Sequence, residues 1–186
     1  MPHRVCPWWL GFWLVNPVRR IVEHPARLLA PLVRPGMVVI EPGCGMGFFT
    51  LELVRLVGPG GRVIAVDLQP RMLSGLQRRA RRAGLADRVE TRLATETDLG
   101  LADLAGRADL VVAIHVVHEI PDVAAFLAQV RASLKEGGRL LVVEPRGHVT
   151  AEEFATTIAA AWQAGFQEQP PPSFGPDRAA LFTRLP

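Results

Sequence analysis

One run of residues constrains this chain more than any other: Val38-Val39-Ile40-Glu41-Pro42-Gly43-Cys44-Gly45-Met46-Gly47-Phe48-Phe49-Thr50. It reads as a buried strand ending in an acid, then a glycine-rich turn, then the start of a helix. The glycines fall at 43, 45 and 47, giving the spacing G-x-G-x-G. The dinucleotide fingerprint is G-x-G-x-x-G, whose last glycine lets the helix sit close to the sheet while a pyrophosphate sits on its N-terminus. Position 48 is Phe, so that fingerprint fails at its last glycine. Glu41 stands just before the turn, where a carboxylate would repel a pyrophosphate and would suit an ammonium or hydroxyl groups. The loop therefore points to a nucleoside cofactor other than a dinucleotide.

From residue 36 onward the pattern alternates. Strand-like apolar runs occupy Met37–Glu41, Arg62–Val66, Arg88–Leu93, Leu110–Ile114 and Arg139–Val143. Helical patterns lie between them at Gly47–Val57, Pro70–Ala83, a short one near Asp98–Ala105, and Asp122–Leu134. Gly58-Pro59-Gly60-Gly61 and Glu136-Gly137-Gly138 are turns that return a helix to a strand. Such alternation, with nearly continuous apolar strands, predicts a parallel sheet covered on both faces. A helix over Ala151–Ala164, a strand around Phe166–Glu168 and a strand over Ala179–Thr183 follow, the last two separated by a Pro-rich loop that suits neither helix nor sheet. In 186 residues there is room for one domain with a sizeable core, expected over 36–186.

Residues 1–35 read differently. Trp8, Trp9 and Trp13 lie in one short apolar stretch, followed by Asn16-Pro17 as a helix start and a second short helix over Pro25–Val33. The stretch is too short to span a bilayer and lacks a small-residue cleavage site. It is expected to be a lid or substrate cover, with dimer contact or shallow membrane-interface contact as the alternatives. Cys6 and Cys44 have neither metal-ligand spacing nor a disulfide framework, so a reducing cytoplasm is the expected compartment.

Open parallel sheets bind ligands at the carboxyl ends of their strands, so those ends are the residues to inspect. The first strand ends at Glu41 and the glycine loop. The second ends at Asp67, twenty residues beyond Gly47, where an acid accepts both hydroxyls of a ribose; Leu68 follows and suits a purine face. The third ends at Thr95-Glu96-Thr97-Asp98, where a carboxylate would accept from an adenine amino group and Asp98 also reads as a helix N-cap. The fourth ends at His115-Val116-Val117-His118-Glu119. Three metal ligands could be drawn from it, but no fourth is evident, and no metal is expected. The fifth ends at Glu144-Pro145-Arg146-Gly147-His148.

Taken together these residues resemble the class I S-adenosylmethionine-dependent methyltransferases. Glu41-x-Gly43-x-Gly45-x-Gly47 matches the family's first motif, Asp67 its ribose-binding acid, and Leu134-Lys135-Glu136-Gly137-Gly138-Arg139-Leu140 its turn before strand five. His118-Glu119-Ile120-Pro121-Asp122 is similar to the segment after strand four in small-molecule methyltransferases of the ubiquinone and menaquinone type. The resemblance implies an α/β Rossmann-like, doubly wound sheet of order 3-2-1-4-5-7-6 with strand 7 antiparallel. It implies S-adenosyl-L-methionine as methyl donor and S-adenosyl-L-homocysteine as product. The cofactor would be held by Glu41, Gly43, Cys44, Gly45, Gly47, Asp67, Leu68, Thr95, Glu96 and His115. The family often has Asp at the position of Thr95, so Glu96 or backbone shares the adenine contact here. His118, supported by Glu119, is expected to face the acceptor and take its proton.

The acceptor is expected to be a small apolar or aromatic molecule. Net charge is +3, and Arg78, Arg79, Arg81 and Arg82 cluster with Arg71 and Arg88 nearby. No aromatic residues interleave with them, and single-strand binders use stacking platforms. The cluster therefore reads as the solvated face of a helix rather than a nucleic-acid surface. The alternatives are a tRNA, rRNA or protein methyltransferase, or a non-catalytic cofactor-binding module. An Asn-Pro-Pro-Tyr type segment, as used on bases, is absent after strand four. A monomer or a homodimer is expected.

Overall fold

The computed structural model describes residues 25–186. The expectations placed on residues 1–24, including the Trp-rich cover and the helix start at Asn16-Pro17, lie outside the described residues. The elements in chain order are α1 (Pro25–Leu29), β1 (Val38–Pro42), α2 (Thr50–Val57), β2 (Arg62–Asp67), α3 (Pro70–Arg82), β3 (Val89–Leu93), β4 (Ala108–Ile114), α4 (Val123–Ser133), β5 (Leu134–Glu144), α5 (Ala151–Gln163), β6 (Phe166–Gln169) and β7 (Arg178–Arg184). The strands form one sheet of order β3-β2-β1-β4-β5-β7-β6. β1 to β5 run parallel, and β7 pairs antiparallel with both β5 and β6. This is the fold class and strand order expected from the sequence.

Period-two side-chain alternation divides the sheet's apolar residues between two layers. Val39, Val63, Ala65, Leu110, Val112, Leu141 and Leu181 pack under α1, α2 and α3 with Leu29, Leu53, Val54 and Leu76. Ile40, Ile64, Val111, Ala113, Leu140, Val142 and Phe182 pack under α4 and α5 with Phe126, Leu127, Phe154 and Ala161. Both faces are covered, as a parallel sheet requires. Residues 25–33 contribute Leu29, Leu32 and Val33 to the first layer, so part of the segment expected to stand apart from the domain is built into its core. The expected helix there stops at Leu29; Pro31 has no N–H to continue it.

The point that positions a site is the junction of β1 and β4, where strand order reverses. β1 stays paired with β2 to its last residue, Pro42 opposite Val66. Its pairing with β4 ends at Ile40 opposite Val111. Glu41 and Pro42 therefore leave β4 while β4 continues to Ile114, and a crevice opens between the two strand ends.

Three local readings differ from expectation. The helix expected from Gly47 begins at Thr50, because left-handed backbone at Gly45 and Gly47 delays the first helical turn. The short helix expected near Asp98–Ala105 is a single 3-10 turn over Ala102–Leu104. Asp98 caps no helix: its Oδ1 accepts the Gly100 N–H at 2.7 Å, closing a tight turn instead. Asp122 caps α4, with Oδ1 accepting the Ala125 N–H at 2.9 Å.

Phe182 is fully buried between β5, β6 and α5, whereas Trp162 on α5 is 55% exposed. Phe182→Ala is expected to cost about 3–5 kcal/mol of stability, and Trp162→Ala to stay within about 0.5 kcal/mol. Urea unfolding of the two variants checks both values.

Candidate functional site

A cavity of about 220 Å³ occupies the crevice and is lined by the carboxyl ends of β1, β2 and β4 with the loops that follow them. Its floor is the glycine loop. Gly43, at φ 69°, sits against the β4 exit, where an added Cβ would stand 2.5 Å from Val116 Cγ2. Gly47, at φ 80°, lies against α3, where a Cβ would stand 2.3 Å from Leu76 Cδ1. Both need glycine for backbone conformation and for space together. Gly47 thus lets the loop approach α3, a contact distinct from the helix-to-sheet approach that the last glycine of the dinucleotide fingerprint provides.

Two carboxylates bracket the loop. Asp67 ends β2, and its Oδ2 accepts the Gly45 N–H at 2.8 Å while Oδ1 accepts the Gln69 N–H at 2.9 Å. These bonds lock the loop to the end of β2. Each carboxylate oxygen can accept more than one hydrogen bond, so Asp67 keeps acceptor capacity toward the cavity it lines. Burial pushes its carboxyl up, against the pull of the Gln69 and Gly45 amides. Glu41, one residue before the end of β1, has 4% of its surface exposed. The Thr50 hydroxyl donates to its Oε2 at 2.5 Å. Burial pushes its carboxyl up to about 8; the Thr50 bond opposes this and the nearby Asp67 charge adds to it. Two buried acids facing one cavity call for a ligand carrying positive charge and hydroxyl donors.

The far end of the cavity is made by Leu68, Ala94, Thr95, Glu96, Leu99 and Phe126. Thr95 Oγ1 accepts the Asp98 N–H at 3.0 Å, and the Thr95 N–H donates to Asp98 O at 2.8 Å. Gln129 of α4 holds this loop from behind: its Oε1 accepts the Leu99 N–H and its Nε2 donates to Thr97 O, both at 2.9 Å. With the Thr95 hydroxyl engaged in its own turn, Glu96 and Asp98 supply the carboxylates that line this end. Burial pushes the Cys44 thiol up, so Cys44 contributes backbone and bulk rather than a thiolate.

The β4 exit separates its two histidines. His115 lines the cavity and is the one non-glycine residue with positive φ, 57°, among the described residues. Its Nε2 pairs with Asp177 Oδ2 at 2.9 Å. His118 does not line the cavity. Its Nδ1 meets Glu144 Oε2 at 2.5 Å, and its ring stands edge-on to His148 with centroids 5.9 Å apart. The bond to Glu144 holds the His118 imidazolium above its usual range, against the opposing effect of burial. Glu119, expected to support His118, acts on it through its charge, while the hydrogen bond comes from Glu144, whose Oε1 also accepts the Val117 N–H at 2.7 Å and draws the turn onto β5. Glu119 lines the cavity instead. Among the described residues no group of His, Cys, Asp and Glu could hold a metal ion.

Sequence reasoning missed Thr50, Gln129 and Asp177, and gave Glu144 no specific role. Thr50 had a readable signal, a hydroxyl one helical turn beyond the glycine loop. Asp177 had none, since it reaches the site from the loop before β7.

Comparison with known proteins follows the same lines. A methyltransferase-domain family model matches residues 34–170. A ubiquinone biosynthesis O-methyltransferase from Azorhizobium caulinodans is 32% identical over 86% of this chain and 58% of that protein. A second, from Methylocella silvestris, is 31% identical over 76% of this chain and 52% of that protein. The chain therefore spans little more than half the length of these curated relatives. Among solved structures, a SAM-dependent methyltransferase from Aquifex aeolicus superposes with a TM-score of 0.83 at 21% identity, covering 96% of this chain and 98% of that one.

Glu41 yields a direct test. In the unfolded chain it ionises near 4.5, and in the folded chain near 8. Between those values the folded state keeps a proton that the unfolded state has released, so stability falls as pH rises through that window and levels off above it. Glu41→Gln is expected to lose less stability than the parent chain between pH 5 and pH 8.5, as read from thermal unfolding at each pH.

Proposed function

The chain belongs to the class I S-adenosylmethionine-dependent methyltransferases, and from that premise we propose that it transfers the donor's methyl group to a hydroxyl of a small aromatic acceptor. The observation that carries the donor half is the pair of buried carboxylates that bracket the glycine loop, Glu41 and Asp67, facing one cavity at the strand-order reversal. Their chemistry fits the donor: an ammonium, a sulfonium and two ribose hydroxyls are the cationic and donating groups that two such acids require. The loop at Gly43–Gly47 and Glu41 would hold the methionine half, Asp67 the ribose, and Leu68, Ala94 and Phe126 the adenine faces. Glu96 and Asp98 supply acceptors for the adenine amino group. A sulfonium is already activated for in-line displacement when bound. What the chain's own residues supply is positioning, which is worth about 7–11 kcal/mol of barrier in favourable cases.

The acceptor half rests on the lining beyond Glu41 and on the relatives. Phe48, Phe49, Ile120 and Pro121 give the cavity an apolar side, and Phe48 and Phe49 stand edge-to-face at 4.9 Å. An aromatic acceptor suits these walls. The ubiquinone biosynthesis relatives are O-methyltransferases by name, which supports oxygen as the methylated atom.

Calorimetric titration with S-adenosylmethionine is expected to show binding that NAD does not reproduce. Asp67→Ala should weaken that binding about 10–100-fold, the worth of a hydrogen-bonded charged group. At pH 7 Glu41 holds a proton in the ligand-free chain, and a cationic ligand beside it favours the carboxylate. Binding should therefore release up to about one proton per site, read from enthalpies in buffers of different ionisation heat, and Glu41→Gln should abolish the release. Labelled methyl transfer to an alkylated catechol tests the acceptor class. Transfer to thiols or amines in preference to the catechol would contradict it.

A further inference from the structure

We propose that His115 and Asp177 form the proton-accepting pair of the acceptor site, with His115 as the catalytic residue and Asp177 as its positioning residue. This rests on the reading of the cavity as a methyl-transfer site. Three observations meet at His115. It lines the donor cavity, which His118 does not. Its neighbour Val116 is the residue against which Gly43 is packed, so the β4 exit that carries His115 adjoins the glycine loop. Its backbone is held left-handed at φ 57°, a conformation that costs a non-glycine residue free energy and persists only where surrounding structure fixes it. Two bonds fix it here: the His115 N–H donates to Val143 O at 2.8 Å, and the ring is held by Asp177.

The bond to Asp177 also sets the tautomer. A carboxylate on Nε2 places the proton there, which leaves Nδ1 with a free lone pair. Among the described residues nothing hydrogen-bonds to that nitrogen. His115 and Asp177 are each about one-quarter exposed, open enough for an acceptor to reach. Other titratable and charged groups at this end have partners of their own. Glu144 is bound by His118 and by the Val117 amide. Arg178 donates to Val149 O, and His148 stands against His118. Glu41 is bound by Thr50, and Glu119 lines the cavity on the same turn.

The step balances without any further reagent. The acceptor oxygen forms the new C–O bond with a lone pair, and the S–C bond breaks with its electrons staying on sulfur, which becomes a neutral thioether. The hydroxyl proton passes to Nδ1 of His115, and the resulting imidazolium is stabilised by the Asp177 carboxylate until the proton leaves to solvent.

The test uses the full chain. With the alkylated catechol, Asp177→Asn is expected to lower kcat about 10²–10⁴-fold at neutral pH, because an amide on Nε2 admits the wrong tautomer and general-base catalysis is worth about that much. S-adenosylhomocysteine affinity should stay within about two-fold, and Asp177→Glu should restore part of the rate. The deficit should shrink as pH rises through the ionisation of the catechol, since a phenolate needs no base. A loss that is the same at every pH would overturn the proposal, as would an unchanged kcat. A ¹⁵N spectrum of the histidine rings in the S-adenosylhomocysteine complex, assigned with His115→Gln, reads the pair without an acceptor. Nδ1 of His115 should be unprotonated in the parent chain and protonated in Asp177→Asn; a proton on Nδ1 in the parent chain would overturn the pair. If the parent chain binds the donor but leaves the catechol untouched, the aromatic-hydroxyl reading fails while this spectrum still decides the pair.

Discussion

The bond from the Gly45 amide to the Asp67 carboxylate holds the site together. It joins the turn after β1 to the end of β2, the two strands whose ends must be fixed relative to each other if a ligand is to span them. Once Gly45 is tied to Asp67, the loop is committed to left-handed backbone at its glycines, α2 cannot begin before Thr50, and Thr50 arrives where its hydroxyl meets Glu41. The second oxygen of Asp67 caps the turn into α3 through Gln69. A single side chain thus organises the loop and the starts of α2 and α3, two of the three helices that cover this face, while still lining the cavity.

The cost of that arrangement is electrostatic. Glu41 and Asp67 are buried near each other, and burial drives both carboxyls upward. Hydrogen bonds from Thr50 and the amides of Gly45 and Gln69 offset part of the cost, burial favours the neutral form of Glu41, and positive charge beside it would favour the carboxylate. The ligand-free protein therefore carries destabilisation at the place where a sulfonium and an ammonium would remove it. This explains why an acid stands where a dinucleotide fold would place none.

Much of this was legible in the sequence because it is local. G-x-G-x-G after an apolar run, and Asp67 twenty residues on, are short-range patterns whose meaning depends only on strand, turn and helix following one another. The antiparallel β7 and the strand order came from resemblance rather than from periodicity. What was not legible is what depends on distant segments meeting. Asp177 reaches His115 across 62 residues, and Glu144 rather than the adjacent Glu119 holds His118. Adjacency in sequence pointed to Glu119, which acts on His118 only through its charge, while the hydrogen-bonded carboxylate comes from the end of β5. The fold alone does not supply the chemistry either, so function here rests on the site.

The central claim is that the two acids bracket an S-adenosyl nucleoside across the β1–β4 crevice. A crystal structure of the chain with S-adenosylhomocysteine tests it most directly. Both ribose hydroxyls are expected on the Asp67 carboxylate, with the Gly45 bond retained, and the amino-acid half on the loop above Glu41. A ribose bound away from Asp67, or a nucleoside seated outside the crevice, would contradict it.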